Sequence, residues 1–343
     1  MRKLLNTLYV TSPDRYLSLD GENIVVLSDG KEAGRVPLHN LEGIVTFGYS
    51  GASPALMGYC AGHGISLSFH SPSGRFLAEV TGEVRGNVTL RKTQYRLSDN
   101  EKESALIGRN MIIGKVYNSR WVLERATRDH PDRVDVEVLK KTSAYLQGIL
   151  TQLESCESLD RIRGMEGNAA SRYFEVFDEL ILRNKDSFFF RERNRRPPLD
   201  NVNALLSLIY TLLSQMTSAA LSAAGLDPYV GFLHRDRPGR ASLALDLMEE
   251  LRPVLADRFV VSLINRQVVL PKDFIKKENG AVILTDDARR KVIDAWQKKK
   301  QEVIRHPFLD EKIEWGLIPY TQALLLARFL RGDIDAYPPF MWK

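Results

Sequence analysis

The stretch from Ser98 to Ala126, SDNEKESALIGRNMIIGKVYNSRWVLERA, decides how the chain folds. Ser98 with Glu101 three places on has the pattern of a capping box, and the apolar positions behind it recur at helical spacing to about Ala126. Before this stretch the chain reads with a different period. Tyr16-Leu17-Ser18-Leu19 and Ile24-Val25-Val26-Leu27 flank Asp20-Gly21, a tight-turn pair that predicts a hairpin. Ile44 to Phe47, between Gly43 and Gly48, predicts a strand; Ser53 to Gly62 predicts a short helix and Ile65 to Phe69 another strand. Ser71-Pro72-Ser73-Gly74 then turns the chain into a strand over Phe76 to Val80.

After Ala126 the helical pattern continues. Pro131 interrupts it, and further helices are expected from Val134 to Ser155 and from Leu159 to Leu182. Pro197-Pro198-Leu199-Asp200 supplies a stop and a fresh N-cap, and Gly225 ends the helix that follows. Ser242 offers an N-cap to a helix that Pro253 should stop. Thr285-Asp286 caps a basic helix toward Lys300, and a last amphipathic helix precedes Gly332. The expected class is α+β: a β-rich domain over residues 1–95, suited to assembly, followed by a larger all-α domain over residues 96–343 that carries the chemistry.

At 343 residues the chain is long for one small domain, and its 44% hydrophobic content supplies a core. The net charge of +5 leans toward a polyanionic partner without requiring one. Cys60 and Cys156, the only cysteines, make neither a disulfide framework nor a thiolate metal site, and they fit a reducing compartment. Met1-Arg2-Lys3-Leu4-Leu5 has no sustained apolar run behind it, so no secretory signal is expected and the expected location is cytoplasmic. Asn201 to Leu226 has no charged residue and the length to span a bilayer. Its polar load, including Asn203, Ser207, Thr211, Gln215 and Thr217, instead predicts a central helix buried by protein, with no membrane partner.

Positive charge is concentrated in two runs. Residues 183–196 hold six basic and two acidic side chains, and residues 289–305 hold seven and two. Each reads either as a solvated helix face or as a phosphate-binding strip.

Chemistry concentrates in Gly231-Phe232-Leu233-His234 and the following Ser242-Leu243-Ala244-Leu245-Asp246-Leu247-Met248-Glu249-Glu250-Leu251-Arg252-Pro253. Pro238 and Gly239 keep His234 off that helix, while Asp246 and Glu249, at i and i+3, share a face of it. A loop histidine opposite two carboxylates makes a nitrogen-plus-oxygen set suited to Mg2+ or Mn2+. The same residues also read as a solvated acidic face beside a surface histidine. Glu166 lies in Arg163-Gly164-Met165-Glu166-Gly167-Asn168-Ala169-Ala170, where each helical glycine costs about 1 kcal/mol relative to alanine. Something must approach this backbone closely, either a packed helix or a ligand beside Glu166.

Together these segments resemble the CRISPR-associated protein 1 family. The resemblance rests on Gly-Met-Glu-Gly-Asn-Ala-Ala-Ser-Arg-Tyr-Phe around Glu166, and on Arg195-Arg196-Pro197-Pro198 with Asp200, Asn203, Ala204, Ser207 and Tyr210. It rests also on Gly231 to His234 with Ser242, Leu243, Asp246, Leu247, Glu249 and Arg252-Pro253. Each motif alone is weak; the three in this order are specific, and chain length and the N-terminal sequence look like the type I-C branch. The resemblance implies a β-domain used for dimerisation and a helical catalytic domain with metal ligands Glu166, His234 and Glu249. Asp246 would stand beside the metal and orient a ligand or water, with Glu250 the alternative third ligand if the register slips by one.

The implied activity is that of a metal-dependent DNA endonuclease and integrase of CRISPR adaptation. In it, the 3′-hydroxyl of a captured fragment attacks a phosphodiester at the repeat array. Partners would be DNA, a second copy of the chain, CRISPR-associated protein 2 and CRISPR-associated protein 4. Arg191, Arg193, Arg195, Arg196, Arg235, Arg237 and Arg240 are candidates to position phosphates. Two other readings use the same residues: a metal-dependent nuclease of branched DNA in repair, and a non-catalytic nucleic-acid scaffold.

Overall fold

The structure, a computed structural model, describes residues 6–72, 76–80, 82 and 87–343. The start at Met1 to Leu5 and part of the expected turn at Ser71 to Gly74 lie outside the described residues. The chain adopts the α+β class, strands first and helices after. It forms two compact units, one comprising Met1–Gly86, Ile283–Glu302 and Glu314–Leu317, the other the remainder.

In the first unit, Gly43–Phe47 runs parallel to Thr7–Val10 on one edge and to Ser66–His70 on the other. Every residue of this central strand is buried, which explains why its sequence is apolar without alternation. Phe76–Val80 closes the sheet antiparallel to Ser66–His70. A second sheet is the expected hairpin, Tyr16–Asp20 with Asn23–Ser28, extended by Lys31–Pro37. Gly21 at the hairpin turn has φ of 57°, a left-handed backbone that favours glycine. Ser53 caps the helix Pro54–His63 by accepting from Leu56 N at 3.2 Å. Leu17, Ile24, Leu38, Ile44, Leu56, Cys60 and Leu67 form the core.

The helix Asp286–Gln301 belongs to this unit, capped by Thr285 as its sequence indicates. Its basic run is not a free phosphate strip. Arg289 is buried over the Phe47 ring, and Lys300 is buried with Nζ 3.0 Å from Thr7 Oγ1 and 3.1 Å from Glu42 Oε1.

The second unit is built on the helix Glu101–Asp129, which packs against Val136–Glu154, Leu159–Glu175 and Ser242–Glu249. Its cap corrects the sequence reading. Asn100, not Ser98, accepts from Lys102 N and Glu103 N, at 3.0 and 3.3 Å. Ser98 ends an earlier helix, Val88–Ser98, that the sequence hid because few of its positions are apolar. Polar bonds hold that helix: buried Gln94 donates to Asp227 O and Val230 O and accepts from Asp227 N. The second unit therefore starts at Asn87, within the segment that composition had grouped with the strands.

Asp200 caps Asn201–Ala223 by accepting from Asn203 N at 2.7 Å. Among the described residues this is the one helix long and apolar enough to cross a membrane. It packs against Ser242–Glu249, Arg258–Asn265 and Ile318–Arg331, and Leu221, Phe232, Leu243, Leu247 and Leu326 lie in the core of this unit.

Pro253 does not stop the chain. Arg252–Asp257 forms a wider π-helical turn that runs into the helix Arg258–Asn265. Pro253 falls in the first turn, where its missing N–H forfeits no bond within the segment.

A candidate carboxylate and histidine centre

Asp246 organises the loop that carries His234. Its carboxylate is fully buried on the helix Ser242–Glu249 and accepts four hydrogen bonds. Three come from the backbone N–H groups of Phe232, Leu233 and His234, at 2.7, 2.9 and 2.9 Å. The fourth comes from His234 Nδ1 at 2.6 Å. With Nδ1 turned to Asp246, Nε2 is the ring nitrogen left for a ligand, which it would bind through its lone pair when the imidazole is neutral. Gly231 makes the wrap possible, because a Cβ there would lie 2.8 Å from Asp246 Oδ2 and 2.8 Å from Ser242 Cβ. Ser242 does not cap its helix; its hydroxyl donates to Arg235 O.

Glu249 sits one turn beyond Asp246 and is almost entirely buried. Its Oε1 lies 3.1 Å from Arg252 Nη1 and its Oε2 2.7 Å from Lys115 Nζ. Burial alone would raise this carboxyl, but Arg252, then Lys115 and His234, override it and hold Glu249 well below the usual carboxylate range. Lys115 Nζ also bonds Glu166 Oε1, from the helix Leu159–Glu175. Burial disfavours charge on Lys115, yet Glu249 and Glu166 together outweigh it and raise its pKa.

The fold thus brings Glu166 and Glu249 from separate helices onto one cation, with His234 close enough to act on Glu249 and Asp246 behind it. Among the described residues, no three His, Cys, Asp or Glu side chains are gathered closely enough to hold a metal ion as they stand. The cation between the glutamates is Lys115. The donors nonetheless fit a hard divalent ion: two carboxylates and an imidazole nitrogen, with buried Glu249 Oε2 aimed at the ammonium yet outside hydrogen-bond geometry.

Glu250 points elsewhere and is no competitor for the site. It accepts from Gln322 Nε2 at 3.0 Å, from Tyr337 Oη, and from Phe340 N at 2.8 Å. Burial in this network pushes its carboxyl up to about 7. A Cβ on Gly164 or Gly167 would meet no atom within 4 Å, so packing within the described chain does not account for the two glycines beside Glu166.

Arg191, Arg195, Arg196, Arg235 and Arg237 are exposed, with Arg235 lying 3.5 Å from Asp160. Arg240 is half-buried, its Nε donating to Ser242 Oγ. Arg193 is not a surface arm. It donates to Asn194 O and Asn203 Oδ1, both at 2.5 Å, and to Ser207 Oγ at 3.2 Å, and it stacks over Tyr210. Lys115 was missed by the sequence reading, which quoted Arg252 within a motif but gave it no role in the site. A lone lysine within Met111-Ile112-Ile113-Gly114-Lys115-Val116 was the available signal.

A strand-rich unit followed by a helical unit that gathers two glutamates around a buried cation defines an α+β protein with its polar centre in the helical part. The chain belongs to the Cas1 family: the model of CRISPR associated protein Cas1 matches residues 8–298. It is 53% identical over 347 residues to a CRISPR-associated endonuclease Cas1 of Rhodospirillum rubrum, covering all of both chains. It is 50% identical over 343 residues to another from Chlorobaculum tepidum, again covering all of both. Among solved structures, a chain of a Cas6-RT-Cas1–Cas2 complex is similar with a TM-score of 0.81 and 25% identity. That likeness covers 98% of this chain and 36% of the other.

Proposed function

We propose that this chain is a divalent-metal-dependent DNA endonuclease and integrase of CRISPR adaptation, acting in the cytoplasm. The observation that carries this reading is the convergence of Glu166 and Glu249 on one cation beside a histidine fixed by Asp246. Relatives of about half-identical sequence bear the name endonuclease, which supports the same reading.

Glu166 and Glu249 would hold Mg2+ or Mn2+ through carboxylate oxygens and His234 through Nε2. When bound, the ion supplies Lewis-acid polarisation of a scissile phosphate. Arg252 fixes the direction of the Glu249 carboxylate, and Asp246 fixes the histidine ring. Exposed Arg191, Arg195, Arg196, Arg235 and Arg237 would hold the DNA backbone without reading its sequence. In the joining reaction a 3′-hydroxyl of the captured fragment forms a bond to phosphorus as the bond to a resident 3′-oxygen breaks. The proton lost by the attacking hydroxyl is matched by the one gained by the departing oxygen. One phosphodiester replaces another, so no energy source is consumed.

Joining of a labelled fragment to a repeat-containing plasmid in Mn2+ tests this. Glu166→Ala, His234→Ala and Glu249→Ala should each lower joining by about a hundredfold or more, with duplex binding nearly unchanged. Cleavage of branched DNA without any joining would point instead to a repair nuclease. Full joining by all three variants would make the protein's acids merely structural.

The likeness to a chain of a complex containing Cas2 supports Cas2 as partner, and we extend the assembly to Cas4 and to a homodimer through the strand-rich unit. Light scattering of the isolated protein at micromolar concentration should give twice the chain mass of 38.9 kDa. The single-chain mass would contradict the dimer.

A further inference from the structure

Gln94 is fully buried on the helix Val88–Ser98, and its side-chain amide is directed at one short segment. Oε1 accepts from Asp227 N at 2.9 Å, and Nε2 donates to Asp227 O at 2.8 Å and to Val230 O at 2.9 Å. Beside it, exposed Tyr95 donates Oη to Asp227 Oδ2 at 2.8 Å. Tyr229 N closes the segment on itself by donating to Asp227 Oδ1 at 2.9 Å. Asp227 to Val230 is therefore a turn held from a separate helix.

The loop and the helix of the carboxylate and histidine centre both grow from this turn. Pro228 O accepts from Leu243 N at 2.9 Å and from Ala244 N at 3.2 Å. These are among the first N–H groups of the helix Ser242–Glu249, which has no side-chain cap. The turn thus caps the helix that carries Asp246 and Glu249. Its other end runs through Gly231 into Phe232, Leu233 and His234, whose backbone N–H groups Asp246 holds. Loop and helix are bonded to each other, so a displacement of the turn shifts His234 and Glu249 together. Glu166 stands on a different helix, Leu159–Glu175, from which Arg163 Nε reaches Leu233 O at 2.8 Å, at the far end of the loop from the turn.

We propose that Gln94 is a positioning residue of this centre: through the turn Asp227 to Val230 it sets His234 and Glu249 against Glu166. What the three side chains hold rests on the metal reading above; what Gln94 holds rests on the hydrogen bonds alone.

Glutamine is the side chain that fits. Its amide supplies an acceptor and two donors at one reach, the set that Asp227 N, Asp227 O and Val230 O require. An ionised glutamate lacks the donors, and asparagine falls a methylene short. A glutamine that only stapled its own helix would leave the site unaffected when lost. A ligand set tolerates displacements of only about 0.5 Å, so a turn that carries two ligands transmits its loss directly.

The test compares the full chain with Gln94→Met, which keeps the length and removes all three bonds. The control is Leu97→Ala, which weakens the packing of the same helix and leaves those bonds in place. Mn2+ affinity is read by electron paramagnetic resonance, and amide hydrogen exchange is read at Phe232, Leu233, His234, Leu243 and Ala244. Gln94→Met should bind Mn2+ about tenfold more weakly and exchange faster at those amides, while Leu97→Ala matches the wild type in both. Where Gln94→Met does not fold, Tyr95→Phe decides instead. Its side chain is exposed, and losing its one bond to Asp227 should weaken Mn2+ binding by about threefold. Equal weakening in Leu97→Ala, or unchanged Mn2+ affinity in the deciding variant, overturns the positioning role. Should the wild type bind no Mn2+, the metal reading fails, and the exchange rates still decide whether Gln94 holds the loop and the helix.

Discussion

Replacing Asp246 with asparagine should destabilise the fold by about 3 kcal/mol or more and abolish joining. The carboxylate accepts three backbone N–H groups and His234 Nδ1 in a fully buried pocket. An amide has one acceptor oxygen, and its NH2 would face groups that are themselves donors. Each buried donor left without a partner costs about 1–3 kcal/mol. The loop from Gly231 to His234 would loosen and the imidazole would lose the bond that fixes it. Urea unfolding measures the stability loss. A midpoint unchanged from wild type would show that the Asp246 network does not hold the loop. The predicted loss would give Asp246 a structural role in holding the loop besides the expected one of orienting a ligand or water.

Lys115→Met should produce the second large effect, and a conditional one. Lysine and methionine have similar length, so packing is conserved while the charge is removed. Without divalent ions, Glu249 and Glu166 then face each other with Arg252 as the remaining nearby cation. Removing one partner of a buried ion pair costs about 3–5 kcal/mol. The lower figure applies here, since the Glu166 side chain is 28% exposed and partly screened by water. Adding Mn2+ should restore stability to the variant, by about 2.7 kcal/mol at a hundred times the dissociation constant. The wild type should gain less, because an entering ion must displace the ammonium from both carboxylates. Equal melting temperatures for the two proteins without metal would show that Lys115 is not their counter-ion.

Much of this is legible in the sequence. The change from strand to helix periodicity gave the fold class, because a strand buried on both faces and an amphipathic helix leave different patterns. Glu166, His234 and Asp246 with Glu249 stood out through the glycines, the loop breakers and the i, i+3 spacing around them. What stayed hidden depends on pairings across the fold. Lys115 is one lysine in an apolar run, and only the approach of two other helices shows what its charge meets. Arg193 looked like its exposed neighbours, yet Asn203 and Ser207 on the next helix draw it inward. Ser98 and Asn100 both suit a helix start, and the existence of the preceding helix decides between them. Glu250 differs from Glu249 by one place in sequence and by about 100° around the helix. That turn puts it against Gln322, Tyr337 and Phe340, in a segment no local pattern connects to it.

We propose that Glu166, Glu249 and His234 form one divalent-metal site. Electron paramagnetic resonance of Mn2+ titrated into the full chain tests it without relying on activity. The account predicts one bound ion per chain in the wild type, and binding weakened by about tenfold or more in Glu166→Gln, Glu249→Gln and His234→Ala, with Glu250→Gln retaining the ion. Wild-type affinity for Mn2+ in all of the first three variants would contradict it.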